Sequence, residues 1–321
     1  MYNTLVKPIK ILSFDGGGAR CIFSLKILEI LCKKLYGKSD NDATKKFIDH
    51  FDLIAGTSGG SIIASLLCIG YSIDHIKNIF DEFNFKIFEN SWREYPLKLL
   101  RYYKTGNFYN SELLLQFLSN FFGDKKITDI DKHLLIIATD VSTNLFKPHL
   151  FKNYYSNKKY PSNEILRNVI RASVSAPTYF SPFTDINDKT YVDGGLVANN
   201  PTMIAIFESE ELYHNSPIDL ILSIGTGTEF PHKGSTFLKE LPEELLILLT
   251  NSELIHREVL GWSYGSNHEK DYFRFSTIGL GSIKLDETDK NILQKGNIET
   301  EKYMIEQEGN ISKLVNKLNN N

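Results

Sequence analysis

Cysteine is scarce in this chain. Only three of its 321 residues are cysteines (Cys21, Cys32 and Cys68), and neither their number nor their spacing fits a disulfide framework or a zinc motif. A small disulfide-stabilised scaffold is therefore excluded, and we expect no metal site. So few cysteines are typical of a reduced, cytoplasmic compartment.

A surplus of basic charge is also missing. Lysine and arginine together number 36 and aspartate and glutamate 39, which gives a formal net charge of −3. Without an overall positive field, we expect no nucleic acid polymer as a partner. Hydrophobic residues make up 42% of the chain, enough for a large core and too many for a disordered protein.

Long apolar runs are absent as well. No stretch of about 18 consecutive apolar residues occurs, so we expect no transmembrane helix. The first ten residues, MYNTLVKPIK, lack the charged and then apolar layout of a secretory signal peptide. These absences predict a cytoplasmic protein.

Short apolar runs alternate with helical patterns along much of the chain. Continuous apolar strands between helices are typical of an α/β fold whose mainly parallel sheet is covered by helices on both faces. We expect a catalytic core over residues 9–205, with residues 206–321 continuing and wrapping the same domain. Strands are predicted at 9–14, 51–55, 133–141, 189–193 and 218–224, and helices at 20–36, 61–69, 72–83, 111–122, 164–175 and 201–213.

A glycine–serine motif follows the second predicted strand. Gly56-Thr57-Ser58-Gly59-Gly60 is a G-x-S-x-G sequence between a predicted strand and a predicted helix. Such a nucleophile elbow needs glycines because the sharp turn leaves no room for side chains beside the serine. The helix that follows would direct free N–H groups, notably that of Gly59, at the reaction centre. A tight turn with an N-cap serine is the alternative.

A second glycine-rich loop, Asp15-Gly16-Gly17-Gly18-Ala19-Arg20, joins the first predicted strand to the first predicted helix. A phosphate loop would need a Gly-Lys-Ser/Thr ending, and a dinucleotide loop would need glycine where Cys21 stands. The third interpretation is an oxyanion hole, in which Gly16 to Gly18 turn backbone N–H groups towards an ester attacked by Ser58. Arg20 would support the loop or attract a lipid phosphate, and a solvated position is its alternative.

A carboxylate at the end of a later predicted strand is the candidate base. In Tyr191-Val192-Asp193-Gly194-Gly195, two glycines would let another element approach, so that Asp193 contacts Ser58 directly. A simple Asp-Gly turn is the alternative. A conventional hydrolase triad ends in a histidine, but none of the late histidines follows an obvious strand, and we expect each at the surface. They are His214, His232, His256 and His268.

Taken in order, these three motifs resemble the patatin-like phospholipase family. Residues 172–180 (ASVSAPTYF) and 222–227 (LSIGTG) match it as well, and the resemblance covers roughly residues 9–227. It implies the family's α/β fold and a dyad without histidine, metal or organic cofactor. Ser58 would be the nucleophile and Asp193 the base. One departure is Cys21, where family members usually have glycine. The implied oxyanion residues are Gly16, Gly17, Gly18 and Gly59, and the supporting residues are Arg20, Gly56, Gly60, Gly194 and Gly195.

The resemblance implies a lipid acyl hydrolase that cleaves carboxylic esters of phospholipids or lysophospholipids at a membrane surface. An acylglycerol lipase, a general esterase and a catalytically idle lipid-binding protein are the alternatives. Residues 80–109 hold ten aromatic side chains interleaved with basic ones, which suits either lipid headgroups or packing over the sheet. Bacterial relatives include effectors switched on by nucleotide signals and secreted toxins with host activators. An activator and a secreted setting are therefore further alternatives, and the oligomeric state stays open.

Overall fold

The structure is a computed structural model that describes residues 7–88, 95–156, 159–214, 216–228, 251–268 and 271–319. Eight strands and twelve helices lie in these ranges. The strands are β1 (Ile9–Phe14), β2 (Leu53–Thr57), β3 (His133–Asp140), β4 (Lys147–Lys152), β5 (Phe183–Thr184), β6 (Thr190–Asp193), β7 (Ile218–Ile224) and β8 (Tyr272–Phe275). The helices are α1 (Cys21–Tyr36), α2 (Asn41–Asp49), α3 (Gly59–Cys68), α4 (Ile73–Ile87), α5 (Tyr95–Thr105), α6 (Ser111–Phe122), α7 (Leu166–Ser173), α8 (Gly195–Ala198), α9 (Thr202–Leu212), α10 (Ser252–Gly265), α11 (Lys290–Glu306) and α12 (Glu308–Asn319).

One sheet contains all eight strands, in the order β5-β6-β3-β2-β1-β7-β8, with β4 also paired to β3. The pairs β1–β2, β1–β7, β2–β3 and β7–β8 are parallel. The pairs β3–β4, β3–β6 and β5–β6 are antiparallel. The mainly parallel α/β sheet expected from the sequence is thus confirmed, and β7 and β8 extend it beyond residue 205.

Helices cover both faces of the central strands. Every residue of β1 and β2 is buried. Leu12 and Ile54 belong to a larger apolar core that includes residues of α1, α3, α4, α6 and α7. Their neighbours Ile11 and Leu53 belong to a second core with residues of α9 and α10. Because adjacent strand residues point to opposite faces, both must be apolar, which explains the continuous apolar runs in the sequence.

The elements that the sequence did not predict include α2 and β4. Residues 37–45 read as a polar turn, but α2 begins at Asn41, where the Asp40 carboxylate accepts the Ala43 N–H at 3.0 Å. Phe47 and Ile48 form its buried face. The unpredicted strand β4 pairs with β3 and buries only its last two residues, so its sequence carries almost no apolar pattern. None of the described helices is long and apolar enough to cross a membrane.

Candidate active site

Ser58 occupies a sharp turn between β2 and α3. Its backbone angles, φ 51° and ψ −128°, are strained for a residue with a side chain. Both the N–H and the hydroxyl of Ser61 donate to the Ser58 carbonyl, at 2.9 and 2.6 Å, and so stabilise the turn. The side chain is therefore displayed beyond the end of the strand.

The flanking glycines leave no space for a Cβ. A Cβ on Gly56 would lie 2.5 Å from the carbonyl oxygen of Gly60, and one on Gly60 would lie 2.5 Å from that of Phe14. At Gly59 the close neighbour is Cys21, whose Sγ would be 2.5 Å from such a Cβ. Cys21, the position that departs from the family pattern, thus packs directly against the Ser58 turn.

Strand β3 brings Asp193 to this turn. β4 pairs with Leu135 to Asp140 of β3, which fills one edge of that strand. β2 and β6 therefore share the other edge, where Thr57 pairs with Ile137 and Asp193 pairs with Ala138. We expected Asp193 at the carboxyl end of a strand in the parallel set, but β6 is antiparallel to β3. It reaches the same point from the opposite direction, so that β2 and β6 meet end to end.

The close approach of β6 to β3 depends on Gly194, the residue that follows the strand. A Cβ on Gly194 would clash with the carbonyl oxygen of Ile137. Gly195 donates its N–H to Oδ1 of Asp193 at 2.7 Å and begins the single-turn helix α8. Two hydrogen bonds hold the backbone of Asp193. Its N–H donates to the Ser175 carbonyl at 3.0 Å, and its carbonyl accepts from the Thr139 hydroxyl at 2.7 Å.

The side chains of Ser58 and Asp193 are in direct contact. The Ser58 hydroxyl donates to Oδ2 of Asp193 at 2.7 Å. Asp193 is only 6% exposed. Burial raises the pKa of its carboxyl to about 6, although hydrogen bonds from the Gly195 N–H and the Ser58 hydroxyl oppose the rise. At neutral pH most of this carboxyl is ionised, and its oxygen is placed to accept the serine proton.

The glycine loop lies over the same turn. A Cβ on Gly16 would lie 2.9 Å from Cβ of Ser58, and one on Gly59 would lie 3.3 Å from the amide nitrogen of Gly18. Gly18 needs glycine because its φ is +53° and a Cβ would strike the Leu285 carbonyl. The loop therefore places its backbone beside the serine.

The N–H groups of this loop differ in whether they have a hydrogen-bond acceptor. Gly16, expected as an oxyanion donor, instead donates its N–H to the carbonyl of Asn199 at 3.0 Å. Its own carbonyl accepts from Thr226 Oγ1 at 2.9 Å and Asn199 Nδ2 at 3.3 Å. Among the described residues, no acceptor takes the N–H of Gly17 or Gly18. These two N–H groups and that of Gly59, the first residue of α3, remain for a ligand.

A cavity of about 680 Å³, counted with its open mouth, contains these groups in its wall. The rest of its lining is mainly apolar and comes from α3, α4 and the segment around residues 174–180. No sequence pattern indicated this cavity, because its apolar residues are spread over the chain. They are Ile62, Phe80, Phe83, Phe88, Val174, Ala176, Tyr179, Phe180, Leu196 and Leu285.

Arg20 also lines the cavity, and its Nη1 donates to the carbonyl of Gly281 at 3.1 Å. It thus connects the glycine loop to the C-terminal part of the chain. Ser173, Asn199 and Leu285 contact the site but were not singled out from the sequence. Ser173 lies in the ASVSAP segment, whose match to the family was the one available signal.

The described late histidines do not line the cavity. His214 is exposed, as expected, whereas His256 and His268 are half-buried. His256 shares a 2.8 Å hydrogen bond with the Tyr272 hydroxyl, and His268 pairs with Asp271 at 2.9 Å. His232 lies outside the described residues.

Comparisons with known proteins find relatives of one kind. Patatin-like phospholipase 1 of Plasmodium falciparum is 30% identical over 354 residues, covering 100% of this chain and 51% of that protein. The cGAMP-activated phospholipase of Vibrio cholerae is 33% identical over 213 residues, covering 64% and 59%. The chain thus spans just over half the length of these relatives. The structure of VipD from Legionella pneumophila is 13% identical with a TM-score of 0.43, covering 94% of this chain and 67% of VipD.

The family model for patatin-like phospholipases matches residues 12–206. This range is more than half of the chain and contains the glycine loop, the Ser58 turn and Asp193. The fold and the family expected from the motifs are both confirmed, and the chain belongs to the patatin-like phospholipase family.

Proposed function

We propose that this chain hydrolyses carboxylic esters of phospholipids or lysophospholipids, with Ser58 as nucleophile and Asp193 as base. The 2.7 Å hydrogen bond between them in the wall of an apolar cavity carries the proposal. Family membership supports a lipid hydrolase, since several relatives are named as phospholipases. The residues present require no metal or organic cofactor for this chemistry.

The reaction begins with proton transfer from the Ser58 hydroxyl to Oδ2 of Asp193 as Oγ attacks the ester carbonyl carbon. The N–H groups of Gly17, Gly18 and Gly59 stabilise the negative oxygen of the tetrahedral intermediate. Collapse of that intermediate breaks the ester bond, and the leaving alcohol takes the proton from Asp193. Water then attacks the carbonyl carbon of the acyl-enzyme as it gives a proton to Asp193. The bond between that carbon and Oγ breaks, Oγ takes the proton back from Asp193, and the fatty acid leaves.

The cavity supports an acyl chain as the group bound next to Ser58. Phe80, Phe83 and Phe88 present apolar surface to the cavity, and Phe180 adds a fourth ring. A hydrocarbon chain transferred from water to such walls gains about 0.8 kcal/mol per buried methylene.

Contact with a membrane surface is part of the proposal. Within the aromatic stretch at residues 80–109, Phe80, Phe83 and Phe88 pack inward, whereas Phe85 and Tyr103 are 61% and 90% exposed. Trp92 and the side chain of Tyr95 lie outside the described residues. The stretch therefore combines core packing with an exposed aromatic surface.

The chain continues from α5 to the cavity wall. On α5, Leu100, Tyr103 and Lys104 are exposed with the spacing of one helical face. The segment after α5 is bonded to the cavity wall, since the Tyr109 N–H donates to the carbonyl of Tyr179 at 2.9 Å. An apolar face with basic residues beside a lipid cavity suits the headgroup region of a bilayer.

The catalytic assignment is tested with fatty-acid release from phospholipid, lysophospholipid and triglyceride dispersions. Ser58→Ala is expected to fold normally and lose release, and a fluorophosphonate probe labels the wild type alone. Ser65→Ala on α3, the helix that follows Ser58, is the matched control, since its buried hydroxyl has no partner among the described residues. Labelling that persists in Ser58→Ala would identify a different nucleophile.

The substrate comparison separates the alternatives. Preference for phospholipid or lysophospholipid supports the proposal, preference for triglyceride supports an acylglycerol lipase, and release from none supports an idle lipid-binding protein. Each assay is run with and without cGAMP, because one relative is named as cGAMP-activated. A requirement for cGAMP would add an activator to the proposal.

The membrane surface is tested with the double variant Leu100→Ser, Tyr103→Ser. It is expected to bind phospholipid vesicles several-fold more weakly while hydrolysing a short soluble ester at the wild-type rate. Phe207→Ser is the control, because Phe207 is 54% exposed on α9, which packs with the second core. Equal losses on vesicles and soluble ester would contradict a role in membrane contact.

A further inference from the structure

We propose that Arg274 is a positioning residue for the glycine loop at residues 16–18, so that β8 and the segment up to Leu285 belong to the catalytic unit. The inference rests on the proposed function, because it takes this loop as the donor to the oxyanion. Arg274 lies outside the 12–206 range of the family match.

Arg274 binds the residue that begins the loop. Its Nη2 lies 2.7 Å from Oδ2 of Asp15 and its Nη1 lies 3.3 Å from Oδ1. The two side chains are 5% and 1% exposed. Nη1 also donates to the Ser223 hydroxyl at 2.9 Å, and Nη2 to Glu253 at 3.0 Å. A planar guanidinium can make these forked bonds, whereas the single amine of a lysine cannot.

Strand register explains how Arg274 reaches Asp15. Ser13 of β1 pairs with Ser223 of β7, and Ser223 pairs with Arg274 of β8. Asp15 follows Ser13 by two residues, so both side chains point to the same face. The guanidinium therefore crosses β7 along this face and holds the end of β1 at the point where the loop begins.

The other end of the loop is held by the same C-terminal segment. Ala19 donates its N–H to the Leu285 carbonyl at 2.7 Å, and Arg20 donates to the Gly281 carbonyl at 3.1 Å. Gly17 and Gly18 thus lie between two anchors from residues 274–285. The ion pair also offsets the negative charge of Asp15, which would otherwise oppose a negative oxygen at the loop.

A merely structural ion pair would have different consequences, and the chain offers one for comparison. Lys152 and Glu208 form a 2.9 Å pair between β4 and α9, with side chains 4% and 5% exposed. Neither residue lines the cavity. Breaking either pair leaves a buried charge without its partner and lowers stability, but only the Arg274 pair holds the glycine loop.

The test compares Arg274→Lys, Arg274→Met and Lys152→Met in the full chain with a soluble ester. Per folded molecule, we expect kcat to fall about 10-fold in Arg274→Lys and at least about 100-fold in Arg274→Met, the scale of one lost oxyanion donor. KM and the acid limb of the pH profile should stay unchanged, because Asp193 is untouched. Lys152→Met should lose stability and keep its kcat.

Hydrogen exchange provides a readout that does not depend on activity. Peptides covering residues 15–20 should exchange faster in Arg274→Lys than in the wild type, and at the wild-type rate in Lys152→Met. Asp15→Asn replaces Arg274→Met if the latter does not fold, with the same expectation. Wild-type kcat and unchanged exchange in Arg274→Lys would overturn the inference, whereas a wild type without Ser58-dependent hydrolysis would overturn the proposed function.

Discussion

The hydroxyl of Ser173 connects the backbone of Ser58 to that of β3. It accepts the Ser58 N–H at 2.9 Å and donates to the Ile137 carbonyl at 2.6 Å. Ser173 is fully buried at the end of α7. One side chain thus satisfies the N–H of the strained serine and fixes its distance from β3, the strand with which Asp193 also pairs.

Replacing this hydroxyl gives the first prediction. Ser173→Ala leaves the Ser58 N–H without its acceptor and should lower the free energy of unfolding by about 1–2 kcal/mol. Because the serine turn loses an anchor, kcat should fall by about 10-fold or more at unchanged KM. Chemical denaturation and ester kinetics measure the two effects, with Ser65→Ala as control. A loss of stability without a change in kcat would show that Ser173 does not position Ser58.

The second prediction concerns the pH dependence of activity. Asp193 must be ionised to accept the serine proton, and burial raises its pKa to about 6. The value of kcat/KM should therefore be half-maximal near pH 6 and fall about 10-fold for each further pH unit below it. Profiles from pH 4.5 to 8 with a soluble ester measure this, with circular dichroism to verify folding. A plateau extending down to pH 4.5 would contradict the assignment of Asp193.

The third prediction concerns stability. A carboxyl whose pKa is raised by folding costs stability as pH rises from about 4 to about 6, because the unfolded chain loses the proton first. Asp193→Asn removes that cost and should be about 3 kcal/mol more stable above pH 6, while inactive. Below pH 4 the two proteins should be equally stable, which thermal melts at both pH values would show.

Asp140→Asn serves as the control of opposite sign. Burial raises the pKa of the Asp140 carboxyl, but hydrogen bonds from Ser142 and the charge of Lys147 lower it by more. Its pKa is therefore below the ordinary value for aspartate. Its ionised form therefore stabilises the fold, and Asp140→Asn should be less stable than the wild type at neutral pH. Equal stability of Asp193→Asn and wild type at neutral pH would mean that Asp193 is not strained by burial.

The fourth prediction concerns the glycine loop. A side chain on Gly17 would strike Thr226, whose hydroxyl holds the Gly16 carbonyl. Gly17→Val should lower turnover at least about 100-fold and change vesicle binding little. Gly261→Ala is the matched control, since Gly261 lies in α10 with no atom within 4 Å of a Cβ, and should be slightly stabilising. Full turnover in Gly17→Val would exclude the loop from oxyanion binding.

The fifth prediction distinguishes a dyad from a triad. Alanine at His214, His256 or His268 should leave most activity, because none of them lines the cavity. His232→Ala, at a position outside the described residues, is tested beside them with the same expectation. In a triad, loss of the histidine costs about as much rate as loss of the serine. If one histidine variant folds but has no activity, the catalytic residues form a triad and not a dyad.

Elements with strong local signals were predictable from the sequence. The helix predicted at 111–122 has the same bounds in the structure, where Asn110 caps it with bonds to Glu112 and Leu113. The strand predicted at 218–224 also has the same bounds, because five of its seven residues are apolar. The sequence motifs also named residues that the structure brings together, namely Ser58, Asp193 and the glycine loop. These motifs are recognisable because their turns require glycine.

Features set by distant pairing were not predictable. The direction of β6 depends on its partner strand, so the sequence did not show that Asp193 arrives from the opposite side. Arg274 lies in the short strand YFRF, and its approach to Asp15 exists only once β7 lies between them. The cavity wall collects apolar residues from several elements, each of which reads as ordinary core in the sequence.

Because β2 and β6 meet end to end, some parts of the sequence can change in evolution without moving Ser58 relative to Asp193. Ser58 and Asp193 are 135 residues apart in sequence, yet adjacent positions of β3 set their spacing. Insertions or deletions in α4 to α6 would therefore reshape the cavity without separating Ser58 from Asp193. The shape of the cavity can thus change with the length of the segment between β2 and β3, while the Ser58 hydroxyl and the Asp193 carboxyl stay in contact.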